Sequence, residues 1–482
     1  MTENLFKVLH DKFGYQSFRE GQQEIIQSIL NKEDVIAILP TGMGKSLCYQ
    51  LPGYLLPHTI LIVSPLLSLM QDQVEQLKKM GEKRVVAFNS FLTPVEKQQL
   101  LQQIEFYKFV FLSPEMLMQD QVKAKLQSMK ISLIVADEAH CISQWGYDFR
   151  PDYLRVGEWL PKENRPPILA LTATATEDVM NDIGNQLKMK QPTQHIQSLD
   201  RPNIRYAAVE VTSADNRFEL MLKKIEEYSG PGIIYTQSRK KANDYAKKLS
   251  EKGIRIAAYH AGMEQVDRMF VQQQFLQNEI EWVCATNAFG MGVHKEDVRQ
   301  VIHDHFPSSM ANYAQEVGRA GRDGADSLAT LFYTENDENL SIFVATNDFP
   351  EEFHVKLFDE ESKRGMNANQ LVEQGLLTEN HVRILSYWSQ RKTIDDTISM
   401  LQRLKQQKMQ QIHQVKEILT NLICIRQQIV QVFGQELSER PTNCCSKCGL
   451  SIDELVNSSN ERSKQMILRP WAERLSLLFP SN

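Results

Sequence analysis

DVIAILPTGMGKSLCYQL, residues 34–51, runs from an apolar strand-like stretch through a glycine-bearing turn into a helical segment. Strand, flexible loop and helix in that order are what a phosphate-binding loop requires. Small residues let backbone N–H groups turn toward phosphate oxygens, and the following helix adds the positive end of its dipole. Thr41, Gly42, Met43 and Gly44 would form the cradle, Lys45 would meet the β- and γ-phosphates, and Ser46 would hold Mg²⁺. The full G-x-x-x-x-G-K-S pattern asks for glycine at position 39, where this chain has Leu39.

Working outward, DEAH at 137–140 ends the apolar run SLIVA, as a second carboxylate motif should. Asp137 at a strand end is placed for the Mg²⁺ shell, and Glu138 is placed to polarise an attacking water. Around these loops the chain alternates strand-like and amphipathic helical runs, the pattern of parallel α/β domains. DVIAILP, HTILIVSP, FVFLSP, SLIVADEAH and ILALTAT are the strand candidates of a first lobe, residues 1–200. PGIIYTQS, IRIAAYHAG, EWVCATNAFG, VRQVIHD and SLATLFY are those of a second, residues 201–345, with Asp200–Asn203 as linker. Two such lobes side by side make a cleft.

Residues 346–450 read differently. From Leu376 to Phe433 there is no Gly or Pro, and Leu401, Leu404, Ile412, Val415, Leu419, Leu422, Ile425, Ile429 and Val432 recur at near-helical spacing. This predicts a helical region whose apolar stripe is core. Residues 451–482 form a short tail in which Trp471, Leu475, Leu477, Leu478 and Phe479 suggest an apolar docking face.

Of 482 residues, 42% are hydrophobic and 24% charged, an ordinary globular balance without low-complexity bias. No apolar run approaches the ~18 residues of a membrane span, and no signal pattern opens the chain, so a cytoplasmic protein is expected. The net charge of −6 does not announce a polyanionic partner; any phosphate-binding surface must be a local concentration of Lys and Arg. Cys48, Cys141 and Cys284 are scattered and read as packed thiols, whereas Cys424, Cys444, Cys445 and Cys448 cluster. In a reducing compartment such a cluster suggests a metal more than a disulfide.

The ordered motif series resembles that of the superfamily 2 helicases. VSPLLSLMQDQ (63–73), LSPEML (112–117) and LTATAT (171–176) match its first-lobe motifs; IIYTQSR (233–239), ATNAFGMGVHKEDVR (285–299) and YAQEVGRAGRDG (313–324) match its second-lobe motifs. The resemblance implies two RecA-like lobes, with Arg319 and Arg322 as arginine-finger candidates reaching a γ-phosphate held by the other lobe. CISQWGYDFRPDY (141–153) resembles the aromatic-rich loop of the RecQ family, which implies DNA contacts by Gln144, Trp145, Phe149 and Arg150. FGYQSFREGQ (13–22) resembles the RecQ adenine-reading segment, with Tyr15 stacking on the base, Arg19 supporting the site and Gln22 bonding the adenine edge.

The terminal cysteines resemble the RecQ zinc-binding subdomain and imply a four-thiolate Zn²⁺ site from Cys424, Cys444, Cys445 and Cys448. The spacing departs from the family's C-x2-C-x2-C: Cys445 and Cys448 keep one pair, Thr442 or Ser451 stands at the third position, and Cys444 is the spare. Residues 346–400 match the family poorly, and the tail is too short for the winged-helix and HRDC domains of longer members. The expectation is a monomeric, ATP- and Mg²⁺-dependent DNA helicase of 3′-to-5′ polarity, acting on single-stranded and forked DNA in recombination and repair. Single-stranded-DNA-binding or recombination proteins are its expected partners, near the nucleoid if bacterial. Rival readings are an RNA helicase and an ATP-switched nucleic-acid scaffold that separates no strands.

Overall fold

The computed structural model describes residues 2–65, 67–89, 92–143, 151–160, 165–228, 230–287, 289 and 295–450. Two parallel sheets dominate. The first contains β1 (Val35–Ile38), β2 (Thr59–Val63), β3 (Val85–Phe88), β4 (Phe109–Leu112), β5 (Ile131–Ala136), β6 (Ile168–Thr172) and β7 (Thr193–Ile196), in the order β3-β4-β2-β5-β6-β1-β7. The second contains β8 (Ile204–Glu210), β9 (Gly232–Tyr235), β10 (Ile256–Tyr259), β11 (Trp282–Ala285), β12 (Gln300–His303) and β13 (Ser327–Tyr333), in the order β10-β11-β9-β12-β13-β8. Helices pack on both faces, so the central strands are continuous apolar runs, buried along their length.

All ten expected strands form, and three further ones join them at or toward sheet edges: β3, β7 and β8. An edge strand has one partner and one open flank, so its sequence need not be uniformly apolar. The polar TQHI of β7, with alternate residues exposed, pairs in parallel with β1.

The C-terminal region is helical, but not as one continuous stripe. The helices Glu379–Ser389, Ile394–Thr420 and Ile425–Val432 are separated by turns, and Leu422, expected in the core, lies in one of those turns, 89% exposed. Val415, Ile418, Leu419, Ile425 and Ile429 share a single core with β9, β12 and β13 of the second lobe. Leu401 belongs instead to a separate cluster with Val355, Phe358, Leu371, Leu385 and Trp388. That small bundle reaches the first lobe: Arg391 pairs with Glu158, and Tyr387 packs against the first lobe's core. The helical region therefore straddles both lobes. Among the described residues, no helix is long and apolar enough to cross a membrane.

Candidate nucleotide site and four-cysteine cluster

The loop from β1 into the helix Leu47–Leu55 has the backbone its glycines allow. Gly42 and Gly44 take φ of +92° and +73°, the left-handed region that other residues enter only with strain. Leu39, where the full motif has glycine, is completely buried and donates its N–H to the Thr172 carbonyl at 3.0 Å, prolonging the pairing of β1 with β6. Position 39 here is therefore still strand, and the turn that needs glycine starts later.

DEAH follows β5. Glu138 itself adopts the left-handed conformation, φ 48° and ψ 49°, a strained setting for a non-glycine residue and one that clusters at functional sites. Its Oε1 lies 3.3 Å from Lys45 Nζ, and its Oε2 lies 3.5 Å from His140 Nδ1. Burial pushes the Glu138 pKa upward, but the charges of Lys45, His140 and Arg319 outweigh it and hold the carboxyl below its ordinary value. Asp137 goes the other way, pushed up to about 6 by burial and by the Glu138 charge. The two neighbouring carboxyls are thus driven in opposite directions, Glu138 toward its charged form beside Lys45 and Asp137 away from it. His140 also bonds Thr172 Oγ1 at 2.9 Å, tying DEAH to the LTATAT motif.

The second lobe closes over this loop. A Cβ on Gly42 would lie 3.1 Å from Arg322 Cγ, and one on Gly318 only 2.4 Å from Thr41 Oγ1. Arg322, Arg319 and Arg201 converge there; burial and the two neighbouring guanidinium charges push the Arg322 pKa down to about 9. Arg319, buried, and Arg322, half-buried, stand together as cations complementary to a polyanion such as a triphosphate, while the Arg201 guanidinium is bonded to main-chain carbonyls. Further interlobe bonds run from Gln265 to Gln71 and from Gln272 to Asp72, both 3.3 Å. His140 from the first lobe and Thr236, Gln237, Asn287, Gln315 and Arg319 from the second line a cavity of about 300 Å³ between the lobes.

On the other side of the loop, Tyr15 is 57% exposed and its ring is free to stack. Gln22 lies against the phosphate loop. It is buried, its Nε2 donates to the carbonyls of Met43 (2.8 Å) and Gly44 (3.1 Å), and its Oε1 accepts the Arg19 N–H at 2.9 Å. Arg19 also donates to the Gly42 carbonyl. In this arrangement both side chains brace the phosphate loop. Gln144, Trp145, Phe149 and Arg150 lie outside the described residues.

Cys424, at the start of the helix Ile425–Val432, meets Cys444, Cys445 and Cys448 with all four Sγ atoms within 4.8 Å of one another. The Sγ separations are 3.7 Å (424–444), 4.0 Å (424–445) and 3.5 Å (445–448). A tetrahedral Zn²⁺ with Zn–S of about 2.3 Å requires S···S of about 3.8 Å, so the four sulfurs fit that ion, Cys444 among them. A hydrogen bond from the Cys444 thiol, aided by backbone N–H groups of Ile425 and Lys447, holds the Cys445 thiol below its ordinary value. Cys48, Cys141 and Cys284 are buried singly.

Sequence reasoning missed Arg201 and Arg426. Arg201 spans the lobes, donating to Thr41 O (3.3 Å), Gly318 O (3.4 Å), Ala320 O (3.3 Å) and Gly321 O (2.6 Å). Arg426 is wholly buried between the linker and Cys444. Both act on main-chain carbonyls distant in sequence, for which no local pattern exists.

Residues 19–183 match the DEAD/DEAH box helicase family, 216–324 the helicase conserved C-terminal domain and 386–450 the RecQ zinc-binding family. A probable ATP-dependent DNA helicase RecS of Bacillus subtilis is 42% identical, covering 98% of this chain and 98% of its own. Residues 346–400, expected to match poorly, therefore lie within that similarity. The ATP-dependent DNA helicase RecQ of Pasteurella multocida is 42% identical over 70% of this chain and 53% of its own, so the chain spans about half the length of that relative. A DNA-bound DUF1998 helicase MrfA shares the fold, with a TM-score of 0.59 at 19% identity over 72% of this chain and 53% of that one. So does RNA-bound Dbp5 of S. cerevisiae, with a TM-score of 0.57 at 19% identity over 71% and 90%. The chain belongs to the RecQ family of helicases.

Proposed function

We propose that this chain is an ATP-dependent DNA helicase that moves 3′ to 5′ along single-stranded DNA and opens tailed or forked duplexes. The observation that carries the reading is the approach of Arg322 to Gly42, which brings a cation of one lobe onto the phosphate loop of the other. In this reading Lys45 holds the β- and γ-phosphates, and Tyr15 stacks on the adenine while Arg19 and Gln22 hold the loop beneath it. Ser46 and Asp137 would hold Mg²⁺, which when bound supplies charge neutralisation across the phosphates. Glu138 orients the water and accepts its proton as the bond between the γ-phosphorus and the β–γ bridging oxygen breaks, giving ADP and phosphate. Arg322, with Arg319 beside it, meets the charge that develops on the γ-phosphoryl oxygens.

Hydrolysis therefore needs the closed lobes, and release of phosphate lets them part. A strand held across both lobes converts that cycle into stepping, with Gln144, Trp145, Phe149 and Arg150 as its contacts in the first lobe. The cysteine cluster would hold Zn²⁺ as a structural site. Unwinding of matched duplexes carrying a 3′ or a 5′ single-stranded tail, with ATPase stimulation by single-stranded DNA and RNA run in parallel, tests this. Activity on 3′-tailed DNA with DNA-dominated stimulation is expected. Unwinding confined to 5′ tails, or stimulation by RNA alone, would overturn it.

A further inference from the structure

Arg426 is 0% exposed, and its guanidinium faces two regions of the chain at once. Nε donates to Cys444 Sγ at 3.2 Å. Nη1 donates to the Asp200 carboxylate and to the Arg201 carbonyl, the latter at 2.8 Å, and Nη2 donates to the Ile204 carbonyl. The guanidinium also sits over the Tyr206 ring, 5.1 Å from its centroid. One side chain thus fastens the four-cysteine cluster to the interlobe linker, Asp200–Asn203, and to the first residue of β8.

The linker is held from the same region a second time. Gln435 accepts from the Leu199 N–H at 2.9 Å and donates to the Gln197 carbonyl at 3.2 Å. The cysteine loop itself pairs with the edge of β8: Tyr206 donates to the Cys444 carbonyl at 3.3 Å, and Ser446 donates to the Tyr206 carbonyl at 2.8 Å.

What the linker carries decides the consequence. The Arg201 side chain bonds Thr41 of the phosphate loop on one side and the carbonyls of Gly318, Ala320 and Gly321 on the other. Asn203 adds bonds to Gly321 and Ala325, each 2.8 Å. Gly318–Gly321 is the same short segment that bears Arg319 and leads into Arg322. The segment's position against the phosphate loop therefore depends on Arg201, and the backbone of Arg201 is held by Arg426.

We propose that Arg426 and Arg201 are positioning residues for nucleotide hydrolysis, through which the four-cysteine cluster sets the approach of Arg319 and Arg322 to the phosphate loop. Neither residue reaches the reacting atoms in this scheme; each acts through the segment it holds. The effect falls on the closed, hydrolysing state and not on nucleotide capture, because the loop carbonyls of Gly42, Met43 and Gly44 are braced separately by Arg19 and Gln22. The inference rests on reading the site as an ATPase. Wild-type protein without ATPase activity would sink that reading, whereas an active wild type with unaffected variants would sink the relay alone.

A double-mutant cycle on the full, zinc-replete chain tests it: Arg426→Lys, Arg201→Lys and both together. Bound zinc, affinity for a fluorescent ATP analogue, kcat, and lobe closure by energy transfer between one dye on each lobe are read for each. Each single variant should keep about one zinc per chain and near-wild-type nucleotide affinity, while kcat falls about tenfold and closure on a non-hydrolysable ATP analogue is reduced. Because both residues act through one linker, the double variant should be no slower than the slower single one. Wild-type kcat in Arg426→Lys, losses that multiply in the double variant, or loss of affinity in place of kcat would each overturn the proposal. Should Arg426→Lys not fold or not retain zinc, Asp200→Asn replaces it in the cycle, since it weakens the hold on the linker and leaves the cysteines untouched; the same outcomes then decide.

Discussion

Replacing Glu138 by glutamine separates two tasks that the proposed mechanism gives to one carboxylate. Before nucleotide binds, Glu138 is the partner of Lys45 at 3.3 Å, in a setting where the two side chains are only 8% and 17% exposed. At an effective dielectric constant of about 20, a charge pair at that separation is worth about 5 kcal/mol. ATP must draw Lys45 toward its phosphates against that attraction. Glu138→Gln keeps the shape and a neutral hydrogen bond worth about 1 kcal/mol, but removes the competing charge. Only part of the difference is released, because Lys45 stays near Glu138 when phosphate arrives; even about 1.4 kcal/mol is a tenfold gain in ATP affinity. The same change removes the group that takes the water's proton, which should lower kcat by about 10²–10⁴. Titration with a fluorescent ATP analogue and single-turnover hydrolysis measure the two effects separately. Hydrolysis within tenfold of wild type would show that another group activates the water, and weaker ATP binding would show that the Lys45 pair does not compete with phosphate.

Three further outcomes follow from the geometry. Arg322→Ala should leave ATP binding nearly intact and slow single-turnover hydrolysis by about 10³-fold or more, as for an arginine finger; lost affinity with unchanged turnover would exclude that role. Cys444→Ser should release zinc and lower the melting temperature of the second lobe, because Cys444 and Cys445 belong to that lobe's core; full zinc occupancy by metal analysis would remove Cys444 from the ligand set. Asp72, bonded by Gln272 across the lobes, is pushed up to about 6, with burial the leading cause, Glu75 adding to it and Gln272 and Lys79 opposing it. Tyr259 and Arg268 of the second lobe also act in this neighbourhood. Opening returns Asp72 toward its ordinary value of 3.8, so the closed state holds the proton more tightly. Nucleotide-free closure, followed by interlobe energy transfer, should therefore strengthen as pH falls through 6 and lose this contribution as pH rises. Asp72→Asn should flatten the response, and an unchanged pH profile in that variant would refute it.

The parts of this protein legible in the sequence are those whose chemistry is local. A strand, a glycine turn and a helix in succession make the phosphate loop wherever they stand, since its backbone N–H groups come from neighbouring residues. The same holds for Asp137 and Glu138 at the end of an apolar run, and for the interior strands, whose uniform burial demands uniform apolarity. Three of the four edge strands escaped, and for the polar β7 the reason is that one open flank relaxes that demand. The stripe through residues 401–432 was visible as core, yet periodicity could not say whose core. Its later part packs into the second lobe while Leu401 joins a separate bundle, and Leu422 falls in a turn.

The tertiary structure alone decided how distant segments meet. That Leu39 is still strand and that Gln22 braces the loop both depend on partners supplied from elsewhere in the chain. Arg201 and Arg426 are the clearest case, because a guanidinium buried against main-chain carbonyls recognises atoms every residue possesses. Sequence says which side chains a protein has; which carbonyls lie within 3 Å of them is set only when distant segments fold together.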